Sequence, residues 1–330
     1  MRQRKADPDV PVLLKNNRFT RPLNMVTEMY SLPAYNGIDP NPVMAPFFIL
    51  FYGIMMADMG YGLLMMLASW IVMKRAKPNG DTMKHLVPLA GFCGVSTFIM
   101  GALTGGFFGD LIPQLLKMYN PESTFALPAL FSPLDDALMV LIGSLVIGLV
   151  QIFTGMTISA VRKIKAGDTM GAVCDEVAWF LVFLLLGGGI ALGQMKIAGI
   201  AIIVLLVITQ SYGKKGVIGK LMGIGGSLYN HITGYFSDIL SYSRLMALML
   251  AGAVIAQVFN TLGGITGNIV TFFLIAMVGN ALNLALNLLG CYVHDMRLQC
   301  LEFFGRFYED GGKPFRPLEV KTKFVDIVKE

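Results

Sequence analysis

The 330-residue sequence predicts an all-α integral membrane protein, and three observations carry that class. Hydrophobic residues make up 55% and charged residues 14% of the chain, against roughly 45–50% and 25% in soluble domains. The apolar residues gather into long runs, most of them near the ~20 residues a helix needs to cross a ~30 Å hydrocarbon core. Short loops rich in lysine and arginine separate these runs, as cytoplasmic connections do. The 22 Met, 22 Phe and 37 Gly suit helices packed closely in lipid, where small residues let backbones approach. The net charge of +5 lies in the loops, so it reports orientation and points to no nucleic acid.

Residues 1–43 are polar and Pro-rich, with basic residues from Arg2 to Arg21, and read as a cytoplasmic lead-in without a secretory signal. An apolar stretch over 44–73 follows, interrupted by Asp58-Met-Gly-Tyr-Gly62. Further apolar runs cover 86–108, 137–161, 177–193, 197–210, about 226–260 and 268–305. Residues 110–133 read as a loop, Gly187-Gly-Gly189 as packing within a span, and 306–330 as a cytoplasmic tail. One crossing over 44–73 would put the basic loops at 74–84, 162–165 and 214–220 opposite the basic N-terminus. A hairpin turning at Asp58-Met-Gly-Tyr-Gly62 instead puts every basic loop and both termini in the cytoplasm, and gives about eight membrane helices. Thirty residues are too few for two full crossings, so the hairpin is expected to be two short helices that meet inside the membrane, shielded by neighbouring protein. No internal repeat of the kind found in many secondary transporters is visible.

Arg244 is the residue that most demands an explanation. It sits inside the long run near 226–260, where a guanidinium costs at least ~2.5–3.5 kcal/mol and cannot escape by losing its proton. Such a charge faces a polar cavity, a partner carboxylate or an ion path. On the same run His231, Tyr235, Asp238 and Tyr242 recur at helical spacing, a stripe that could carry protons or be merely solvated at the interface. On the last run Asn280, Asn283, Asn287, His294 and Arg297 keep close to one face. Asparagines facing lipid would be costly, so these line water or a partner helix. Arg297 is an ordinary flank residue if that helix stands upright, and lies at membrane depth only if it is steeply tilted. Asp58 has no charged neighbour within fifteen residues on either side; it is a candidate proton carrier, or a cap for the hairpin. Gln151, Glu176 and Gln210 near span ends read as interface residues, and Gln257 and Asn260 as terminal polar groups. Cys93, Cys174, Cys291 and Cys300 lack metal or redox spacing and read as packing. No phosphate loop, nucleophile elbow or metal-ligand cluster is present, so neither a cofactor nor an ATP site is implied.

The segments Lys15-Asn-Asn-Arg-Phe-Thr-Arg-Pro-Leu-Asn24, Thr27-Glu-Met-Tyr-Ser-Leu-Pro33, Tyr35-Asn-Gly-Ile-Asp-Pro-Asn-Pro42, Met56-Ala-Asp-Met-Gly-Tyr-Gly62, Ser241-Tyr-Ser-Arg-Leu-Met-Ala-Leu248 and Met296-Arg-Leu-Gln-Cys-Leu-Glu-Phe-Phe304 resemble one family closely. It is the membrane half of subunit a, or subunit I, of V-type and A-type rotary ATPases. The resemblance implies two long, steeply tilted C-terminal helices that curve against a rotor ring of small proteolipid subunits, with Arg244, Arg297 and His294 facing the rotor carboxylate. It implies that Asp238 and His231 fall on the inner aqueous half-channel and Asp58 on the opposite one. It also implies peripheral-stalk and ATP-hydrolysing partner subunits, a bilayer location in a bacterial plasma membrane, and no catalytic site in this chain. His231 departs from the commonest family pattern, and Asn287 stands where some relatives have an acid. Nothing before residue 43 could fold into the large cytoplasmic half with which family members usually begin. On residues alone two rivals remain: a self-contained secondary transporter with Arg244 binding an anion, and a scaffold with no ion path.

Overall fold

Apolar runs become helices along most of this chain, and the places where they break carry the most information. The computed structural model describes residues 10–35, 37–76, 81–120, 125, 127–210 and 217–315. The first nine residues of the lead-in, Lys77, the Lys214-Lys215 pair and the tail beyond 315 lie outside the described residues. Among the described residues, five helical stretches are long and apolar enough to cross a membrane, and Asn41–Met56 and Met195–Gln210 are shorter apolar helices. The chain is an all-α membrane protein, with one small three-stranded sheet among the described residues.

In the lead-in, β1 (Pro11–Val12) and a 3₁₀ turn precede α1 (Asn24–Tyr30) and β2 (Leu32–Pro33). Four polar residues, Asn16, Asn24, Thr27 and Asn41, join into one cluster. Asn24 Oδ1 accepts from Asn16 Nδ2 at 2.6 Å and from Asn41 Nδ2 at 2.9 Å, and Thr27 donates to Asn41 Oδ1. Buried amides must be paired, so this cluster fixes the lead-in to the start of α2 (Asn41–Met56).

The expected hairpin is present, with its turn placed earlier than the sequence suggests. The chain leaves α2 through Ala57 in the left-handed region (φ 31°) and enters α3 (Met59–Ile71) with Asp58 as its N-cap. Met59 to Gly62 therefore form the first turn of α3 and not the loop. Both arms pack on α4 (Asp81–Thr104). Contacts of Gly53 with Ser96 and of Asp58 with Gly101 make α2 parallel to α4. The bond from Ser69 Oγ to Val87 O at 2.7 Å and the contact of Gly62 with Phe98 make α3 antiparallel to it. A Cβ at Gly101 would collide with the backbone at Asp58 and Met59, whereas one at Gly143 would meet nothing within 4 Å. Gly101→Ala is therefore expected to destabilise by ~1–3 kcal/mol, read as a lower thermal midpoint in detergent. Gly143→Ala, at an open helix position, should leave the midpoint unchanged or raise it.

The segment 110–133 is not wholly a loop, because α5 (Leu111–Tyr119) occupies its first part. Then α6 (Ala137–Lys165) leads through α7 (Thr169–Gly171) and a wide π turn over Ala172–Val177 to α8 (Ala178–Ala191) and α9 (Met195–Gln210). Of the three consecutive glycines in α8, Gly187 and Gly188 face open space and Gly189 alone packs, against Ala198. Cys93, Cys291 and Cys300 are buried.

The last two apolar runs form long, nearly continuous helices. α10 (Val217–Ser241) and α11 (Ser243–Ile265) are separated only by a break at Tyr242. α12 (Ile269–Arg297) continues through a π turn at Leu298–Phe303 into α13 (Phe304–Phe307). The stretches Leu228–Ile265 and Ile269–Phe307 hold 38 and 39 residues; at ~1.5 Å per residue each is nearly twice as long as a ~30 Å hydrocarbon core is thick. The chain closes with β3 (Asp310–Pro314), which pairs parallel with β1 and antiparallel with β2.

Candidate functional site

Asp58 is held by backbone. Its Oδ1 accepts from Gly60, Tyr61 and Phe108 N–H at 2.8, 3.1 and 3.0 Å, and its Oδ2 accepts from Gly109 N–H at 2.7 Å. The first two bonds cap α3. The other two tie the hairpin tip to the turn that follows α4. Beside it lies a cavity of about 320 Å³, walled by Asp58, Tyr61, Asp110, Asp135 and the α11 residues Met249 and Gly252.

From that tip a ladder of side-chain amides runs along the seam of α11 and α12. Gln114 Nε2 donates to Asp110 Oδ2 at 2.9 Å, and Asn260 Nδ2 donates to Asp110 Oδ1 at 3.0 Å. Asn280 Nδ2 donates to Asn260 Oδ1 at 3.1 Å, and Tyr61 Oη donates to Asn280 Oδ1 at 2.7 Å. Asn283 Nδ2 bonds both Tyr61 Oη at 3.0 Å and Gly252 O at 2.9 Å, and Asn287 Nδ2 donates to Asn283 Oδ1 at 2.9 Å. The asparagine spacing thus marks a buried face turned to protein, where each amide finds partners that lipid would not supply. The ladder ends at the level of Gly252 and Asn287, two helical turns from Arg244 on α11 and from His294 on α12.

Arg244 stands apart from that ladder. Its guanidinium Nη1 is buried, and among the described residues it has no hydrogen-bond partner. It acts electrostatically on His294 and on Glu302, and Arg297 acts on His294 as well. His294 is half-buried and Arg297 exposed. The three groups named from sequence therefore do converge around the start of α11 and the end of α12.

The predicted stripe on α10 is a packed seam. His231 stacks on Trp179 of α8, with ring centroids 4.9 Å apart and planes 10° from parallel. Tyr235 lies under the Arg306 guanidinium at 4.2 Å, a cation–π contact. Asp238 forms an ion pair with the same arginine. Tyr242 Oη donates to Gln151 Oε1 at 2.8 Å, Gln151 Nε2 to Gln299 Oε1 at 2.6 Å, and Gln299 Nε2 to Asp295 Oδ1 at 3.3 Å. Gln151, Gln299 and Asp295 are wholly buried. This second chain ties α6 and α12 to the break at Tyr242, two residues before Arg244.

Sequence reasoning missed several of these residues. Gln151 is a core residue where an interface residue was expected, and Asn260 is a buried rung where a terminal polar group was expected. Glu176 accepts from Ser159 at 2.8 Å and pairs with Lys163 at 3.2 Å, and Gln210 donates to Cys174 O at 2.9 Å. Asp295, Glu302 and Arg306 were not singled out at all. The available signal was that Asp295 and Glu302 are acids inside the apolar run at 268–305, with Arg306 directly after it.

Comparison with known proteins identifies the relatives. The V-type ATPase 116kDa subunit family matches residues 1–119. The A-type ATP synthase subunit I of Methanocaldococcus jannaschii is 32% identical, over 97% of this chain and 50% of its own length. That of Thermococcus kodakarensis is 32% identical over 96% of this chain and 48% of its own length. The V-type ATP synthase subunit I of Borreliella burgdorferi is 24% identical over 96% of this chain and 56% of its own length. The chain spans about half the length of the curated relatives it matches. Nearly end-to-end similarity to subunit I chains, in a helical membrane protein whose quoted motifs lie in the lead-in, at the hairpin tip and around the two arginines, shows that this chain belongs to the subunit a/I family of V-type and A-type ATPases.

Proposed function

We propose that this chain is the ion-translocating stator part of a rotary ATPase. It offers two aqueous half-channels and an arginine barrier, and transfers H⁺ or Na⁺ to and from a carboxylate on a rotor ring of small proteolipid subunits. The observation that carries this reading is the Nη1 of Arg244, buried without a hydrogen-bond partner among the described residues. A buried guanidinium nitrogen without a fixed acceptor is costly, and an acceptor that arrives from outside offsets that cost. The ladder with its tip cavity on one side, and the Asp238–Arg306 seam on the other, supply polar surroundings at both ends.

In this reading the sheet end is cytoplasmic, with residues 1–43 and 306–330 outside the membrane and 44–305 the transporting domain. The two long helices lie steeply tilted, with Arg244, Arg297 and His294 toward the rotor. Asp58, Asn280, Asn283 and Asn287 belong to the outer half-channel; His231 and Asp238 belong to the inner one. A rotor carboxylate arriving neutral from lipid meets Arg244, which favours its ionised form and drives its ion into one half-channel. The carboxylate is reloaded from the other before it re-enters lipid, where a bare charge is costly. The arginine also repels cations that would leak straight through. ATP hydrolysis and the peripheral stalks belong to other subunits.

Purification from native membranes with a tag on this chain tests the reading. A ring of small hairpin proteins is expected to co-isolate, and ion transport to appear only in vesicles holding the whole complex. Transport by the isolated chain in liposomes would instead favour a self-contained transporter.

A further inference from the structure

Lys15, Arg21 and His85 line one cavity of about 400 Å³ between the lead-in, the start of α4 and the end of β3. Among the described residues, none of these three side chains forms an ion pair or a hydrogen bond. Lys15 and Arg21 are like charges gathered at one hollow, an arrangement that repels until an anion enters it. Glu28 is the one acid among the described residues of the wall, and it pairs with neither cation. Leu13, Leu14 and Leu32 supply the apolar part of the wall.

The cavity lies at the edge of the membrane. His85 falls in the first turn of the span Thr82–Thr104. The bond from Ser69 to Val87 sets it level with the end of α3, where Trp70 is 56% exposed and the Lys74 ammonium sits 4.8 Å over its ring. An exposed tryptophan beside a lysine at a span end marks the headgroup layer. Phe19 of the lead-in packs edge-on against Phe92, with ring centroids 5.3 Å apart, and Phe92 lies about two turns deeper in α4 than His85. The lead-in therefore borders the cavity and also reaches the apolar layer.

We propose that this cavity binds the phosphate of an anionic phospholipid from the leaflet on the sheet side. Arg21 meets two phosphate oxygens with its planar fork and Lys15 meets the phosphate as a point charge. His85 adds a ring N–H, which imidazole carries in either charge state. The leucines cover the glycerol and the first methylenes of the chains. Basic hollows beside membrane helices recognise lipid phosphates by this combination of charge and apolar wall. The bound lipid ties the lead-in and β3 to the start of α4. The site lies outside the ion route and holds lipid whether or not the proposed function stands.

The test uses the complex purified from native membranes through a tag on this chain and placed in phosphatidylcholine nanodiscs. A trace of phosphatidylglycerol with a photoreactive diazirine near its glycerol is the probe. Light should label peptides from 12–32 and 82–87 in preference to those of α8 and α9, and a phosphatidylcholine probe should show no such preference. Excess phosphatidylglycerol should suppress the label, and inorganic phosphate should not. Lys15→Gln with Arg21→Gln should lower the label at these peptides about 30-fold, from about fivefold for each basic group at an anionic surface, with α8 and α9 unchanged. Glu28→Gln removes the opposing acid and should raise the label about fivefold. Suppression by inorganic phosphate as strong as that by phosphatidylglycerol makes this a site for free anions and overturns the lipid assignment. Labelling within about twofold of wild type in both variants overturns the site itself. If the double variant does not assemble, Glu28→Gln decides alone, because that exposed side chain has no partner among the described residues whose loss could disturb the fold.

Discussion

Arg244→Ala is expected to abolish coupled ion transport in the assembled complex while leaving the complex intact. A guanidinium ~4 Å from a carboxylate contributes about 4 kcal/mol at an effective dielectric near 20. Each ~1.4 kcal/mol is a tenfold change in an ionisation equilibrium, so its loss lowers the tendency of the rotor carboxylate to release its ion by roughly 10³-fold. The alanine also removes the repulsion that separates the half-channels, so a passive leak is expected to rise. Arg244→Lys should fail or nearly so, because a buried ammonium can shed its proton and lacks the planar fork that meets a carboxylate with two bonds. Since Nη1 makes no bond inside this chain among the described residues, neither substitution breaks an internal contact of that atom, and thermal midpoints should change little. The decisive measurement is ion uptake beside ATP hydrolysis in the same vesicles; undiminished uptake in Arg244→Ala would end the proposal.

The second large effect is structural. Asp58→Leu strips acceptors from four backbone N–H groups at once, those of Gly60, Tyr61, Phe108 and Gly109. At ~1–3 kcal/mol for each buried donor left unpaired, the total approaches the ~5–15 kcal/mol that holds a typical domain together. The hairpin tip is expected to come apart, with loss of assembly. Asp58→Asn separates this role from ion handling. Its Oδ1 can still accept from Gly60, Tyr61 and Phe108, but its amide would confront the Gly109 N–H, donor against donor. The variant should assemble with a lower thermal midpoint. Transport that falls much further than stability would place Asp58 in the outer half-channel. Transport and stability that fall together would make it a cap alone.

The hairpin was legible from charge alone, because only a reversal near Asp58 collects the basic loops on one side. The asparagines of α12 were legible from their period, since polar residues repeating every three or four positions in an apolar helix must share a protected face. Their partners were not. Tyr61 comes from α3, and Asn260 and the Gly252 carbonyl come from α11, and what meets what across a helix interface is settled by packing angles that a linear pattern does not encode. The α-helical period also misleads beyond Arg297, where the π turn rotates Glu302 inward and brings Arg306 over Tyr235 and Asp238. Asp295 escaped notice for a related reason. It lies one residue off the face shared by His294 and Arg297, and its value as a buried acid depends on Gln299 and Gln151 being there to meet it.

The three-stranded sheet makes the polypeptide a closed mechanical circuit. Only the short α13 and two residues separate the end of the π turn from β3, which grips Pro11–Val12 on one edge and Leu32–Pro33 on the other. A sideways push on the sheet end of α12 therefore passes into β3. It crosses the strands as shear and arrives at the segment leading into α1 and α2.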